Sequence, residues 1–187
     1  MKVLIFYILI FFIVLSSLGY ARDAVDYLNH WYRLPEDSSA INIDNTWILI
    51  NKFETTLYLM MGPDTVWKAL CGIGTGKVLQ YGNKSWHFET PKGERKVVRK
   101  IIDPVWIKPD WAFIEEGLPI PSKNASVRYV RNHLGRYKLD LGNDVGIHGI
   151  RGDRVEGRVS HGCIRLEDKD LEVVWKYSKI GTRVLIK

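Results

Sequence analysis

His148-Gly149-Ile150 and, a short way on, Ser160-His161-Gly162-Cys163-Ile164-Arg165 gather one cysteine and two histidines into a brief stretch near the end of the chain. A thiol is a poor nucleophile until it loses its proton, and a neighbouring imidazole supplies the base that takes it. Cys163 is therefore the candidate nucleophile. Residue type leaves its base open. His148 and His161 are both near, and His161, two positions along an extended chain from Cys163, would project to the same face. Gly149 and Gly162 lack a Cβ, which lets a substrate carbonyl approach the backbone closely. The competing reading is a buried structural cysteine beside two hydrogen-bonded histidines on a strand-turn-strand.

Acyl transfer also requires donors aimed at a developing oxyanion. The amides of Gly162 and Cys163 are the natural candidates. Ser160 reads either as a catalytic hydroxyl or as a turn hydroxyl that satisfies nearby backbone. Arg165 is placed either to bind a substrate carboxylate or to brace the loop. Asp153, flanked by Arg151 and Arg154, reads as a charged hairpin tip. The remaining histidines, His30, His87 and His133, are scattered, so no metal site is expected. Gly72-Ile73-Gly74-Thr75-Gly76-Lys77 lacks the Gly-Lys-Ser/Thr ending and the following helix of a phosphate-cradling loop, so no nucleotide site is expected.

Outward from that stretch the chain is strand-rich. Residues 47–51, 56–61 and 66–71 are short apolar β-prone runs separated by turn residues such as Gly62-Pro63-Asp64, which predicts an antiparallel meander. Residues 137–141 alternate, putting Tyr137, Leu139 and Leu141 on one face. Residues 168–178 carry Leu171, Val174, Trp175 and Ser178 at helical spacing behind acidic residues that suit a helix N-terminus. Gly181 ends that helix, and 182–186 form a closing strand. The reading is a mainly β fold with one helix before the last strand. Trp106, Trp111 and Phe113, among the prolines of 104–121, either plug the core or line a groove.

Residues 1–21 combine a basic start, a short apolar run and small residues before Ala21, the pattern of a secretory signal; the alternative is an uncleaved anchor. Residues 22–44 read as a short helix and linker, and 45–187 as one domain. The formal charge of +6 is spread along the chain without a nucleic-acid motif, so no nucleic-acid partner is expected, and membrane contact is expected only through the leader. Of the two cysteines, Cys71 sits in an apolar run and reads as a small buried hydrophobe, since a disulfide to Cys163 would block the thiolate.

His-Gly followed by Ser-His-Gly-Cys-Ile-Arg resembles the signature of the L,D-transpeptidase (YkuD-like) catalytic domain. The resemblance extends to Thr90-Pro91-Lys92-Gly93, Pro104-Val105-Trp106 and Leu134-Gly135, and runs in order over residues 47–187. Arg95 and Ile150 depart from the family pattern, which has an aromatic and a small hydroxyl residue there. The resemblance implies a β-sandwich or barrel-like fold with a lid formed by 104–121, where Trp106 would touch substrate. It assigns the base to His148, with one ring nitrogen held by the Gly149 carbonyl, and leaves His161 and Ser160 in support. It implies a periplasmic or cell-wall enzyme without organic cofactor or metal. Cys163 would take the stem tetrapeptide of peptidoglycan as a thioester, release D-alanine and pass the acyl group to an amine of another stem or of a wall-anchored protein. Hydrolysis by a carboxypeptidase or amidase, or wall binding without catalysis, are the alternatives.

Overall fold

A computed structural model describes residues 40–150 and 154–187. The expected leader, all of the expected linker before Ala40, and Arg151 and Asp153 lie outside the described residues.

Strand β1 (Thr46–Asn51) buries Ile48 and Ile50 completely and leaves the intervening Trp47 and Leu49 partly exposed, the alternation of a strand with one face on a core. Asn51 turns the chain by accepting hydrogen bonds from the amides of Phe53 and Glu54 on its side-chain oxygen. Strand β2 (Thr56–Met61) follows, then a turn at Gly62-Pro63, then β3 (Asp64–Leu70) and β4 (Gly72–Gly74). The glycine-rich stretch thus enters a strand. A hairpin, β5 (Val78–Tyr81) and β6 (Lys84–His87), precedes β7 (Gly93–Lys96), β8 (Arg99–Ile102) and β9 (Trp106–Ile107).

Helix α1 (Asp110–Glu115) and β10 (Tyr129–Val130) complete the middle of the chain. Then come β11 (Tyr137–Asp140), β12 (Gly146–His148), β13 (Gly157–Ser160), β14 (Ile164–Arg165), helix α2 (Asp168–Lys176) and β15 (Arg183–Ile186). The helix expected before the last strand is α2, and the chain also forms α1, where no helix was expected. Helix α1 spans fewer than two turns, too short for an apolar period to show, and only Ala112 and Phe113 are buried in it.

One sheet has the order β3-β2-β1-β15-β7 and the other β13-β4-β14-β12-β11-β8. Both are open, so the architecture is a sandwich and not a closed barrel. Ile48, Ile50, Leu57 and Leu59 of the first sheet share one core with Ile73, Leu139, Ile147 and Ile164 of the second, all eight fully buried. Each such side chain contributes about 1.5–3 kcal/mol by leaving water. Leu171 and Val174 of α2 close the same core. Because successive side chains alternate faces, the positions next to Leu139, Ile147 and Ile164 are turned to the opposite side of the second sheet. Lys138, His148, Cys163 and Arg165 are among those positions.

Candidate active site

Strands β12 and β14 run parallel, with Ile147 opposite Ile164 and His148 opposite Arg165. Cys163, one step before Ile164, therefore enters level with Gly146, diagonal to His148 on the same face. Its thiol is half-buried and donates to the Asp144 carbonyl at 3.5 Å. Burial pushes the Cys163 thiol up; the Gly146 amide and the charges of Lys138 and Arg165 act in the opposite sense, and Asp144 adds to the rise.

His148 is 5% exposed. Its Nδ1 lies 2.5 Å from the Gly149 carbonyl oxygen, which can only accept, so Nδ1 carries the proton and Nε2 keeps its lone pair. Burial lowers the His148 pKa to about 4, against the Gly149 hydrogen bond, and Lys138, Arg165 and His133 lower it further. At neutral pH the ring is a neutral proton acceptor with one tautomer selected.

The Ser-His-Gly-Cys loop is held from two sides. Ser160 Oγ donates to the Cys163 carbonyl at 2.6 Å and accepts from the Gly162 amide at 3.1 Å, closing the turn on itself. Gly162 has φ +133°, a conformation that favours glycine. Its carbonyl accepts from Thr90 Oγ1 at 2.9 Å. The two loop amides expected to serve an oxyanion differ in their present partners. The Gly162 amide is engaged by Ser160, whereas the Cys163 amide donates to no acceptor among the described residues.

His161 turns away from the sheet. Its Nε2 meets Glu115 Oε2 of α1 at 2.8 Å, its ring stacks on Trp111 at 3.9 Å, and Phe88 packs edge-on at 4.4 Å. The two histidines that residue type alone left equivalent are thus separated: one is sealed into the sheet on the face that carries Cys163, the other ties the loop to the segment above it.

That segment roofs a cavity of about 1130 Å³ whose floor carries Lys138, His148, Cys163 and Arg165. Trp106 lines it and stacks on His133 at 4.2 Å. Arg165 is buried and donates to the Arg154 carbonyl at 3.2 Å, the geometry of a brace. Sequence reasoning did not assign Lys138, Asp144 or Glu115 to the site. The Thr-Pro turn was recognised without the Thr90 bond to Gly162. For Lys138 the available signal was alternation, since it lies opposite in facing to Leu139.

The model of the L,D-transpeptidase catalytic domain family matches residues 45–186. The probable L,D-transpeptidase YbiS of Escherichia coli strain K12 is 31% identical over 185 residues, covering 91% of this chain and 55% of that protein. The probable L,D-transpeptidase ErfK/SrfK of Salmonella typhimurium is 28% identical over 177 residues, covering 92% of this chain and 55% of that protein. The chain thus spans about half the length of the curated relatives it matches. Among solved structures, an L,D-transpeptidase from Xylanimonas cellulosilytica superposes with a TM-score of 0.55 at 18% identity, covering 76% of this chain and 60% of that one.

Proposed function

The chain belongs to the L,D-transpeptidase catalytic domain family, and from that premise we propose that it is an exported cysteine acyltransferase acting on peptidoglycan stem peptides. The observation that carries the reading is the neutral His148, its tautomer selected by the Gly149 carbonyl, on the same sheet face as the free thiol of Cys163.

In this mechanism His148 Nε2 takes the proton of Cys163, and the sulfur attacks the carbonyl of the third, diamino-acid residue of a tetrapeptide stem. The Cys163 amide donates to the oxyanion that forms. Collapse breaks the C–N bond to D-alanine, whose nitrogen receives the proton from His148, and a thioester remains. An acceptor amine then attacks the thioester, gives up a proton to His148 and regenerates the thiol. The roof of 104–121 supports transfer over hydrolysis by limiting water. Export is supported by the leader pattern of residues 1–21, and the acceptor is an amine of a second stem or of a wall-anchored protein.

Incubating the protein with a disaccharide-tetrapeptide and weighing protein and products tests this. The expected result is free D-alanine, a transient thioester mass on the protein and a cross-linked product. A trimmed stem without cross-link makes the enzyme a carboxypeptidase. Absence of both D-alanine and thioester contradicts the catalytic reading.

A further inference from the structure

Lys138 of β11 lies directly opposite His148 of β12, and Arg165 of β14 lies opposite His148 on its other side. Paired positions on adjacent strands project to the same face, so three basic side chains form a row across the cavity floor. The Lys138 stem leans along the sheet over Gly146: a Cβ built at residue 146 would stand 2.7 Å from Lys138 Cε. Only glycine leaves that path open. Gly146 is also level with Cys163, and its amide favours the ionised sulfur. The lysine stem is thus carried over the residue beside the thiol.

Of the other lysines and arginines lining the cavity, Lys123 is exposed and the rest have partners. Arg99 pairs with Asp140, Lys108 with Glu116 and Arg128 with Asp110, while Arg165 holds the Arg154 carbonyl. Lys138 makes no ion pair or hydrogen bond through its ammonium among the described residues. An ammonium without a fixed counter-charge favours the ionised form of an acidic group within its reach. The thiol of Cys163 is such a group.

We propose that Lys138 is a charge-positioning residue whose ammonium, laid across Gly146, favours the Cys163 thiolate and so sets the fraction of protein ready to attack at neutral pH. The inference rests on the reading of Cys163 as the nucleophile and requires no particular acyl donor. The other titratable or charged groups lining the cavity near the cysteine loop are Asp144 from the turn between β11 and β12, His148 from β12, Arg165 from β14 and, held against the roof, His161. Asp144 opposes ionisation and Arg165 favours it. Arg165 is braced in place, which leaves Lys138 as the cation whose removal disturbs the loop least.

The test is the rate at which iodoacetamide alkylates Cys163 in the full chain from about pH 5 to about pH 10, a range that brackets an ordinary thiol. The thiolate displaces iodide and forms the S–C bond, and peptide mass locates the adduct. Lys138→Met keeps the stem over Gly146 and removes the charge; Lys138→Arg keeps the charge. For Lys138→Met the inflection should move up by about one unit and the rate at neutral pH should fall about tenfold, with the alkaline plateau unchanged. Lys138→Arg should retain the wild-type inflection. A wild-type profile for Lys138→Met, or a displaced inflection in Lys138→Arg matching that of Lys138→Met, would overturn the inference. A lowered plateau with an unmoved inflection would also overturn it, as the mark of a merely structural role. Because iodoacetamide is not a stem peptide, a shifted profile in a protein that turns over no stem would refute the transpeptidase reading and leave this one standing.

Discussion

Thr90 Oγ1 donates a 2.9 Å hydrogen bond to the Gly162 carbonyl while accepting one of 2.8 Å from the Gly74 amide. One buried hydroxyl thereby ties strand β4, the Thr-Pro turn and the cysteine loop together. Lys52, itself buried, holds the same turn through the Thr90 carbonyl at 2.6 Å and Glu89 at 2.8 Å.

Thr90→Val keeps the shape and removes both bonds, leaving a buried amide and a buried carbonyl without partners. It should cost about 1–3 kcal/mol of stability in urea unfolding and slow acylation of Cys163, and Thr90→Ser should recover most of both. A valine variant as stable and as reactive as the parent would show that the loop is held by other contacts.

His148 links pH to stability. Unfolded, it takes a proton near its ordinary value of 6.5; folded, it does so only near about 4. Between those values the unfolded chain binds more protons, so stability is fully present above the unfolded value and falls as pH drops through the folded one, by about 3 kcal/mol at most. The urea midpoint should therefore decrease from neutral pH toward pH 4, and His148→Gln should flatten that decrease. Equal acid sensitivity in the two proteins would contradict a neutral buried ring.

Cys71 is fully buried, and burial raises its thiol to about 12. Both cysteines are free. Alkylation of the folded protein should mark Cys163 alone, with Cys71 reacting only after denaturation. Cys71→Ala should keep activity at a packing cost of about 1–3 kcal/mol. A bridge between Cys71 and Cys163 in active protein would refute this.

Glu115 and His161 join the roof to the loop through a solvent-accessible pair, a contact worth about 0–1 kcal/mol. Glu115→Gln should therefore leave the unfolding midpoint nearly unchanged. It should raise KM for the stem donor and spare the alkylation of Cys163 by iodoacetamide, which is small enough to need no roof. Equal loss in both assays would locate the effect at the thiol instead.

The strands were legible because Ile48 and Ile50, or Leu139 and Leu141, alternate with residues facing the other way, and α2 because Leu171 and Val174 repeat at helical spacing. Helix α1 was not, since six residues rich in aromatics between prolines carry no period. At the site, the cysteine, both histidines and the loop glycines were legible from spacing. What spacing does not contain is pairing across the sheet. The register that sets Lys138 beside His148, and the engagement of the Gly162 amide by Ser160, arise from strands distant in sequence. Residue types alone did not choose between His148 and His161. Their surroundings differ, since only His148 enters the sheet, whereas His161 finds partners in a helix the pattern did not reveal.

The central claim, a thiolate at Cys163 served by His148, is tested most directly by intact mass after exposure to a carbapenem, a strained acyl donor that needs no acceptor. The wild-type protein should gain one carbapenem mass, mapped to Cys163, and Cys163→Ala should fold and gain none. His148→Ala should acylate more slowly by roughly 10² to 10⁴. An adduct on Cys163→Ala, or an undiminished rate in His148→Ala, would contradict the account.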